Sequence, residues 1–259
     1  MFSLENEEFS PYDFLLNTCD WISCTNEGLS FEEFLMLLDS NGIKFSIRRS
    51  FEHQFVVIDK TSYVEFFALL PSTSFVRLTR IDLRFDTFQD FSSMYEPYLE
   101  EWTPSSCVGK LGRYETIYFG SRSSDLFCRF YDKQKESNLK FPCSRLEFEV
   151  KGYLCKQFSL RATYIDLDDA LSFLLDSIRD FMFRQKLDDL IHLPTYGTYI
   201  PFDIVNHNSM VDKFRRFVKQ YRSSILGYLD SFDLTGNEFV ELLENHNKLN
   251  EFLNDEVGI

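Results

Sequence analysis

The chain has 259 residues and a formal net charge of −14, from 27 Lys and Arg against 41 Asp and Glu. Hydrophobic residues at 44% and aromatic residues at 17%, with 29 phenylalanines, supply a sizeable packed core and exclude a disordered chain. No apolar run approaches the ~20 residues that span a bilayer, and the acidic start, Met1-Phe2-Ser3-Leu4-Glu5, lacks the basic and then apolar pattern of a secretory signal, so a cytoplasmic protein without a membrane partner is expected. The six cysteines (19, 24, 107, 128, 143 and 155) form no C-x-x-C pair, which points to free thiols. The negative balance weighs against a nucleic-acid partner. Its distribution softens that objection: residues 110–161 hold 11 Lys and Arg against 6 Asp and Glu, and a second basic run follows at Lys213, Arg215, Arg216, Lys219 and Arg222.

In chain order, residues 20–23 read as a short strand. Ser30-Phe31-Glu32-Glu33 is a capping box opening a helix that ends near Gly42, with Phe31, Phe34, Leu35 and Leu38 as its apolar stripe. Residues 43–50 and 54–59 suit a hairpin, 61–70 a helix, and 75–86 a long strand. A helix is predicted over 87–102, kinked at Pro97. Three strands follow, beginning at Glu115, Leu126 and Arg145, joined by the polar connectors 120–125 and 135–142. The period turns helical from Ile165, and apolar residues recur through 166–184. The expected fold class is α+β: a mainly antiparallel sheet with helices packed on one face, plus a C-terminal helical segment. The expected division is a main domain over 1–192, a linker over 193–208 marked by Pro194, Gly197 and Pro201, and the helical segment over 209–259.

The strands are unusual in what their polar faces carry. Alternation puts Arg80, Asp82, Arg84 and Asp86 on one side of the first. Phe127, Arg129, Tyr131 and Lys133 share a face of the second, and Arg145, Glu147, Glu149 and Lys151 a face of the third. If these strands are neighbours, Asp82, Glu147 and Glu149 meet with Tyr131 nearby. Carboxylates suit a hard divalent cation such as Mg²⁺ or Mn²⁺, which can polarise a phosphate, and a tyrosine oxygen beside it can attack that phosphate covalently. Plainer readings stand beside this one. Glu147 and Glu149 suit an ordinary cross-strand-paired surface, Arg80 or Arg84 can simply neutralise Asp82, Asp86 can cap the next helix, and Gly120-Ser121-Arg122 can be a plain turn. Trp21 is expected in the core, with Lys156 and Arg161 extending the basic patch.

The order Asp20-Trp21-Ile22-Ser23, Arg80-Ile81-Asp82, Tyr118-Phe119-Gly120-Ser121-Arg122, Arg129-Phe130-Tyr131-Asp132-Lys133, Arg145-Leu146-Glu147 resembles the replication initiation factor family. This family comprises rolling-circle initiators of plasmids and phages and related relaxases. The resemblance covers roughly residues 15–190 and implies a site-specific DNA nickase and strand transferase. Tyr131 would be the catalytic tyrosine, with Arg129 and Lys133 holding the phosphate and easing ionisation of the phenol. Asp82, Glu147 and Glu149 would be the metal ligands, and Ser121, Arg122, Arg145 and Lys151 the DNA contacts. The implied partners are single-stranded or hairpin origin DNA, a host helicase and polymerase, and a second copy of the chain in a homodimer. Three alternatives stay open: a relaxase of a conjugative element, a hydrolytic metal-dependent nuclease, and a non-catalytic DNA- or protein-binding module on the same fold.

Overall fold

The computed structural model describes residues 10–50, 53–98, 100–102, 104–110 and 113–196, and all statements below concern these. The basic run at 213–222, the C-terminal helical segment and all of the linker beyond Tyr196 lie outside the described residues.

The elements in chain order are α1 (Pro11–Thr18), β1 (Cys19–Asn26), α2 (Phe31–Ser40), β2 (Phe45–Ser50), β3 (His53–Ile58), α3 (Tyr63–Leu69), β4 (Val76–Thr87), α4 (Phe91–Tyr95), β5 (Ser106–Lys110), β6 (Arg113–Phe119), β7 (Leu126–Asp132), α5 (Lys133–Ser137), β8 (Ser144–Lys151), α6 (Gly152–Tyr164) and α7 (Leu167–Gln185). The strands form one eight-stranded sheet in the order β2-β3-β1-β4-β8-β7-β6-β5. Every ladder in it is antiparallel. The class is therefore α+β, as the patterning predicts.

Local chemistry sets the boundaries. Ser30 and Glu33 make the reciprocal capping box that opens α2. Asp166 caps α7, and Lys186 ends it in the left-handed conformation. One face of the sheet is apolar and covered by helices. Ile22, Ile81, Leu83, Phe85, Phe130, Leu146, Phe148 and Val150 are buried in one cluster with Phe14 of α1, Phe66 of α3, Phe158 of α6 and Leu174 of α7. Phe181 of α7 stands edge-on to Phe148, and Phe91 of α4 packs against Phe130. Covering one face leaves the other to the polar half of each alternating strand, and that is the face the candidate site uses.

The helices α1 and α6 stand where the sequence reading places none, since it starts the helical period at Ile165, and four further details depart from it. The helix expected over 87–102 is the short α4 followed by a 3-10 turn at Glu96–Tyr98; Asp90, not an earlier residue, supplies its cap. Strand β5 was not anticipated, because Ser106-Cys107-Val108-Gly109-Lys110 is a short edge strand with a glycine and no apolar alternation. Lys133 does not continue β7: the Asp132 carboxylate accepts the Lys135 amide and starts α5 before the end of the expected strand. Arg161 is not part of a surface patch, since it lies buried in α6 with its guanidinium on Asp169 at 2.8 Å and over the Phe173 ring.

The β6–β7 turn, which carries Ser121 and Arg122, is fixed from below. Gly152 opens α6 with φ +55°, and a Cβ there would meet Asp125 Oδ1 at 2.0 Å. Gly152→Ala is therefore expected to lower the unfolding free energy by about 1–3 kcal/mol, measured by denaturant titration. An unchanged midpoint would contradict this close packing.

Candidate active site

The polar face gathers its residues through register. Asp82 of β4 pairs with Glu149 of β8, Arg84 with Glu147, and Asp86 with Arg145. On the other side of β8, Glu147 pairs with Arg129 of β7, and Arg145 with Tyr131. Two irregularities sharpen the pattern. A bulge in β4 between the Ser23 and Cys24 pairings lets both Leu78 and Ile81 enter the core while Arg80 turns outward. A second bulge, in β1, breaks the pairing between Cys19 and Trp21, and the adjacent Asp20 and Trp21 both reach residues of the polar face.

The result is a lattice of ion pairs across four strands, β1, β4, β8 and β7. Arg80 binds Asp82 through two nitrogens, at 2.7 and 2.5 Å, and its Nη2 also lies 2.9 Å from Glu149 Oε2. Lys151 donates to Glu149 Oε1 at 2.8 Å. Arg145 binds Asp86 with a pair of bonds at 2.6 and 2.8 Å, and lies 3.6 Å from Asp20, which also receives Lys60 and Arg84. Arg129 donates to Glu147 Oε1. The second oxygen of Glu147 accepts the Tyr131 hydroxyl at 3.0 Å. A single carboxylate thus joins the guanidinium of Arg129 to the phenol of Tyr131.

Tyr131 is 7% exposed, and with Arg129, Thr116, Tyr118 and Asp132 it lines a cavity of about 400 Å³ that opens to solvent. Burial pushes its phenol well above the ordinary range, and the negative charge of Glu147 adds to that, while Arg145 works the other way. Help with ionisation was expected from Arg129 and Lys133. The structure instead makes the phenol a weaker acid, with a carboxylate in place to accept its proton. Lys133 donates to Glu136, and its ammonium remains 5.9 Å from the centre of the Tyr131 ring.

Asp82 is the most perturbed acid of the group. It is pushed up to about 6: burial raises it most, Arg80 pulls it down, and the nearby Glu147 and Glu149 raise it. Glu149 and Asp20 move the other way: burial alone would raise them, but Lys151 and Arg80 hold Glu149 low, and Lys60, Arg145 and Arg84 hold Asp20 low. As donors for a hard divalent ion, Asp82 and Glu149 fit, since both already touch one cationic nitrogen of Arg80. Glu147 is committed to Arg129 and Tyr131, and no three His, Cys, Asp or Glu side chains among the described residues are gathered as a ready-made metal cluster.

Among the expected DNA contacts, Ser121 and Arg122 are exposed on the β6–β7 turn. The Arg122 guanidinium lies 5.5 Å from the Tyr118 ring centre and 5.6 Å from that of Phe127, two rings that are themselves stacked. Lys151 donates to the Arg122 carbonyl and so ties the turn to β8. Arg145 is buried and paired, placed to orient the site from beneath. Asp86 is an ion-pair partner and not a helix cap. Trp21, expected in the core, is half-buried on the polar face with Arg80 over its ring at 5.8 Å. Asp20 and Trp21 belong to the motif order, but their place on the polar face has no sign in the alternating pattern, in which a bulge leaves no trace. All six cysteines are free, as expected. No described helix is long and apolar enough to cross a membrane.

These features define an α+β sheet protein with one helix-covered face and one ionic face beside a buried tyrosine. No family model matches the chain. Over 174 residues it is 26% identical to a replication initiation protein of Staphylococcus aureus, a stretch that is 66% of this chain and 51% of that protein. A second replication initiation protein of the same organism is 41% identical over 58 residues, 22% of this chain and 19% of that protein. The chain thus spans about half the length of one curated relative and a fifth of the other. A solved rolling circle replication initiator protein from Geobacillus stearothermophilus aligns with 70% of this chain and 98% of its own, at 15% identity and a TM-score of 0.41. By sequence the chain is a relative of replication initiation proteins, as the motif order implies.

The raised Asp82 makes a pH prediction. Its folded value, about 6, exceeds the ordinary 3.8 of an aspartate, so the folded state holds this proton more tightly than the unfolded chain does. The stability that Asp82 contributes is full below pH ~4 and lost as pH rises through ~6. With EDTA present, the unfolding free energy relative to Asp82→Asn is expected to fall by about 2–3 kcal/mol over that window and stay level above it. A flat difference in a denaturation series would contradict the assignment.

Proposed function

We propose that the protein initiates DNA replication by nicking an origin strand through Tyr131. The observation that carries this reading is the hydrogen bond from the Tyr131 hydroxyl to Glu147, on an ionic sheet face and beside an open cavity. As Tyr131 Oη attacks the scissile phosphorus, its proton passes to Glu147 Oε2. The bond between phosphorus and the 3′ oxygen breaks, that oxygen takes a proton from solvent, and the products are a 5′-phosphotyrosyl link and a free 3′-hydroxyl. Burial of the phenol keeps it protonated until a phosphate arrives, which suits a nucleophile that acts only with its substrate in place. Protonation of Glu147 leaves the Arg129 guanidinium on its other oxygen without a counter-charge, so that guanidinium is available to the negative charge developing on the phosphate.

A divalent cation, Mg²⁺ or Mn²⁺, would be held by Asp82 and Glu149 with Glu147 at its edge, and would polarise the phosphate. Arg122 and Ser121 are placed to meet the DNA backbone on the exposed turn, with Lys151 bracing them. Arg145 orients the site through Asp86 and Asp20. The substrate is single-stranded or hairpin origin DNA, and rolling-circle synthesis from the free 3′-hydroxyl by a host helicase and polymerase is the process served.

One observation favours a second reading, a binding module without catalysis: each of the three acids already has a cationic partner, and the phenol is a weak acid. Both readings meet the same test. Incubated with labelled hairpin DNA and Mn²⁺, the protein is expected to give an adduct that survives denaturing electrophoresis. Tyr131→Phe should abolish the adduct and leave DNA affinity within about two-fold, and Glu147→Gln should slow its formation by about 10²–10⁴-fold. An adduct that persists in Tyr131→Phe would overturn the assignment, and no adduct from the wild type would favour the binding module.

A further inference from the structure

Two phenylalanines at one end of the polar face remain unused by this chemistry. Phe88, just past β4, is 78% exposed, and Phe141, three residues before β8, is 47% exposed. Exposed aromatic rings of this size carry a solvation cost that a protein interior would remove. These two stand edge-to-face, with centroids 5.6 Å apart. Their loops are joined: Thr87 pairs with Ser144 across the β4–β8 ladder, and Ser144 Oγ donates to the Gln89 carbonyl at 2.8 Å. The pair is therefore fixed to the sheet.

Its position ties it to Tyr131. Ser144 also pairs with Asp132 of β7, the residue after Tyr131, and Arg145 pairs with Tyr131 itself. The rings lie at the strand ends nearest the nucleophile. Exposed Lys140 immediately precedes Phe141, and α5, with Lys133 and Lys135, begins where β7 ends. Flat apolar surface next to ammonium groups matches one ligand chemistry closely: a nucleobase, which has an apolar face and is tethered to a negative phosphate.

We infer that Phe88 and Phe141 form a stacking subsite for an unpaired nucleobase of the DNA strand whose phosphate is presented to Tyr131. This rests on the reading above and deepens it: the rings take the base, Lys140 takes the adjoining phosphate while Lys133 stays on Glu136 and Lys135 on Asp132 and Glu115, and a base held there fixes which phosphodiester reaches the tyrosine. The subsite recognises any base, since every base offers a π-face, and it requires the strand to be unpaired.

The test uses the full chain and two labelled probes followed by fluorescence anisotropy, a single-stranded oligothymidylate and an abasic phosphodiester strand of equal length. Wild type is expected to bind the oligothymidylate more tightly than the abasic strand. Phe88→Ala with Phe141→Ala should weaken oligothymidylate binding about ten-fold and leave the abasic strand unaffected, and Phe88→Tyr with Phe141→Tyr, which keeps both rings, should restore it. Equal oligothymidylate affinity in wild type and the double alanine variant would overturn the inference and leave the nickase reading intact. A change in sedimentation in the alanine variant with unaltered DNA affinity would overturn it in favour of contact with a second copy. Failure of wild type to bind either probe would overturn the initiator reading, and this inference with it.

Discussion

The Glu147 carboxylate organises the polar face. One oxygen takes the Arg129 guanidinium and the other takes the Tyr131 hydroxyl, and the acid is almost wholly buried. A buried carboxylate without partners would cost several kcal/mol, so β7 and β8 must keep the register that supplies them. That register also sets Arg145 opposite Tyr131 and Glu149 opposite both Phe127 and Asp82. A one-residue slip of β8 would send Glu147 into the phenylalanine-rich core and bring Phe148 to the surface. The ionic lattice thus specifies the pairing as well as the chemistry.

The same lattice answers the objection that a net charge of −14 raises against the proposed DNA partner. The acids of this face are each matched by an arginine or lysine, so the local field is far from that of the whole molecule. Cations left at the rim, Arg122 on its aromatic stack and Lys140 beside Phe141, are those with nothing acidic bound. A phosphate approaching the face meets pairs already neutralised in the centre and free cations at the edge. Such a surface selects by geometry more than by bulk attraction, which suits the origin-specific role proposed above.

Much of this was legible in the residue order. Alternation puts Arg80 and Asp82 on one face of β4, Tyr131 on one face of β7 and Glu147 on one face of β8, and the condition that these strands be neighbours is met by the β4-β8-β7 order, in which antiparallel strands with one apolar side have no freedom to turn over. The capping box at Ser30, the 43–59 hairpin and the long α7 followed from local signals that tertiary packing did not override. What escaped were features without periodic signature. The β1 bulge brings Asp20 and Trp21 together on the polar face, where simple alternation would separate them, and the β4 bulge sets both Leu78 and Ile81 into the core. The Asp132 cap takes Lys133 out of the strand, and edge strand β5 has too little apolar content to stand out. Burial of Arg145 and Arg161 was hidden because their partners, Asp86 and Asp169, lie far away in sequence or on another helix.

The most direct test is mass spectrometry on the covalent complex. After reaction with an origin hairpin in Mn²⁺, protease and nuclease digestion should leave a nucleotide adduct on one peptide, with fragmentation placing the mass on Tyr131. Modification of another tyrosine, Tyr118 in the same cavity for example, would contradict the role assigned to the Tyr131–Glu147 pair.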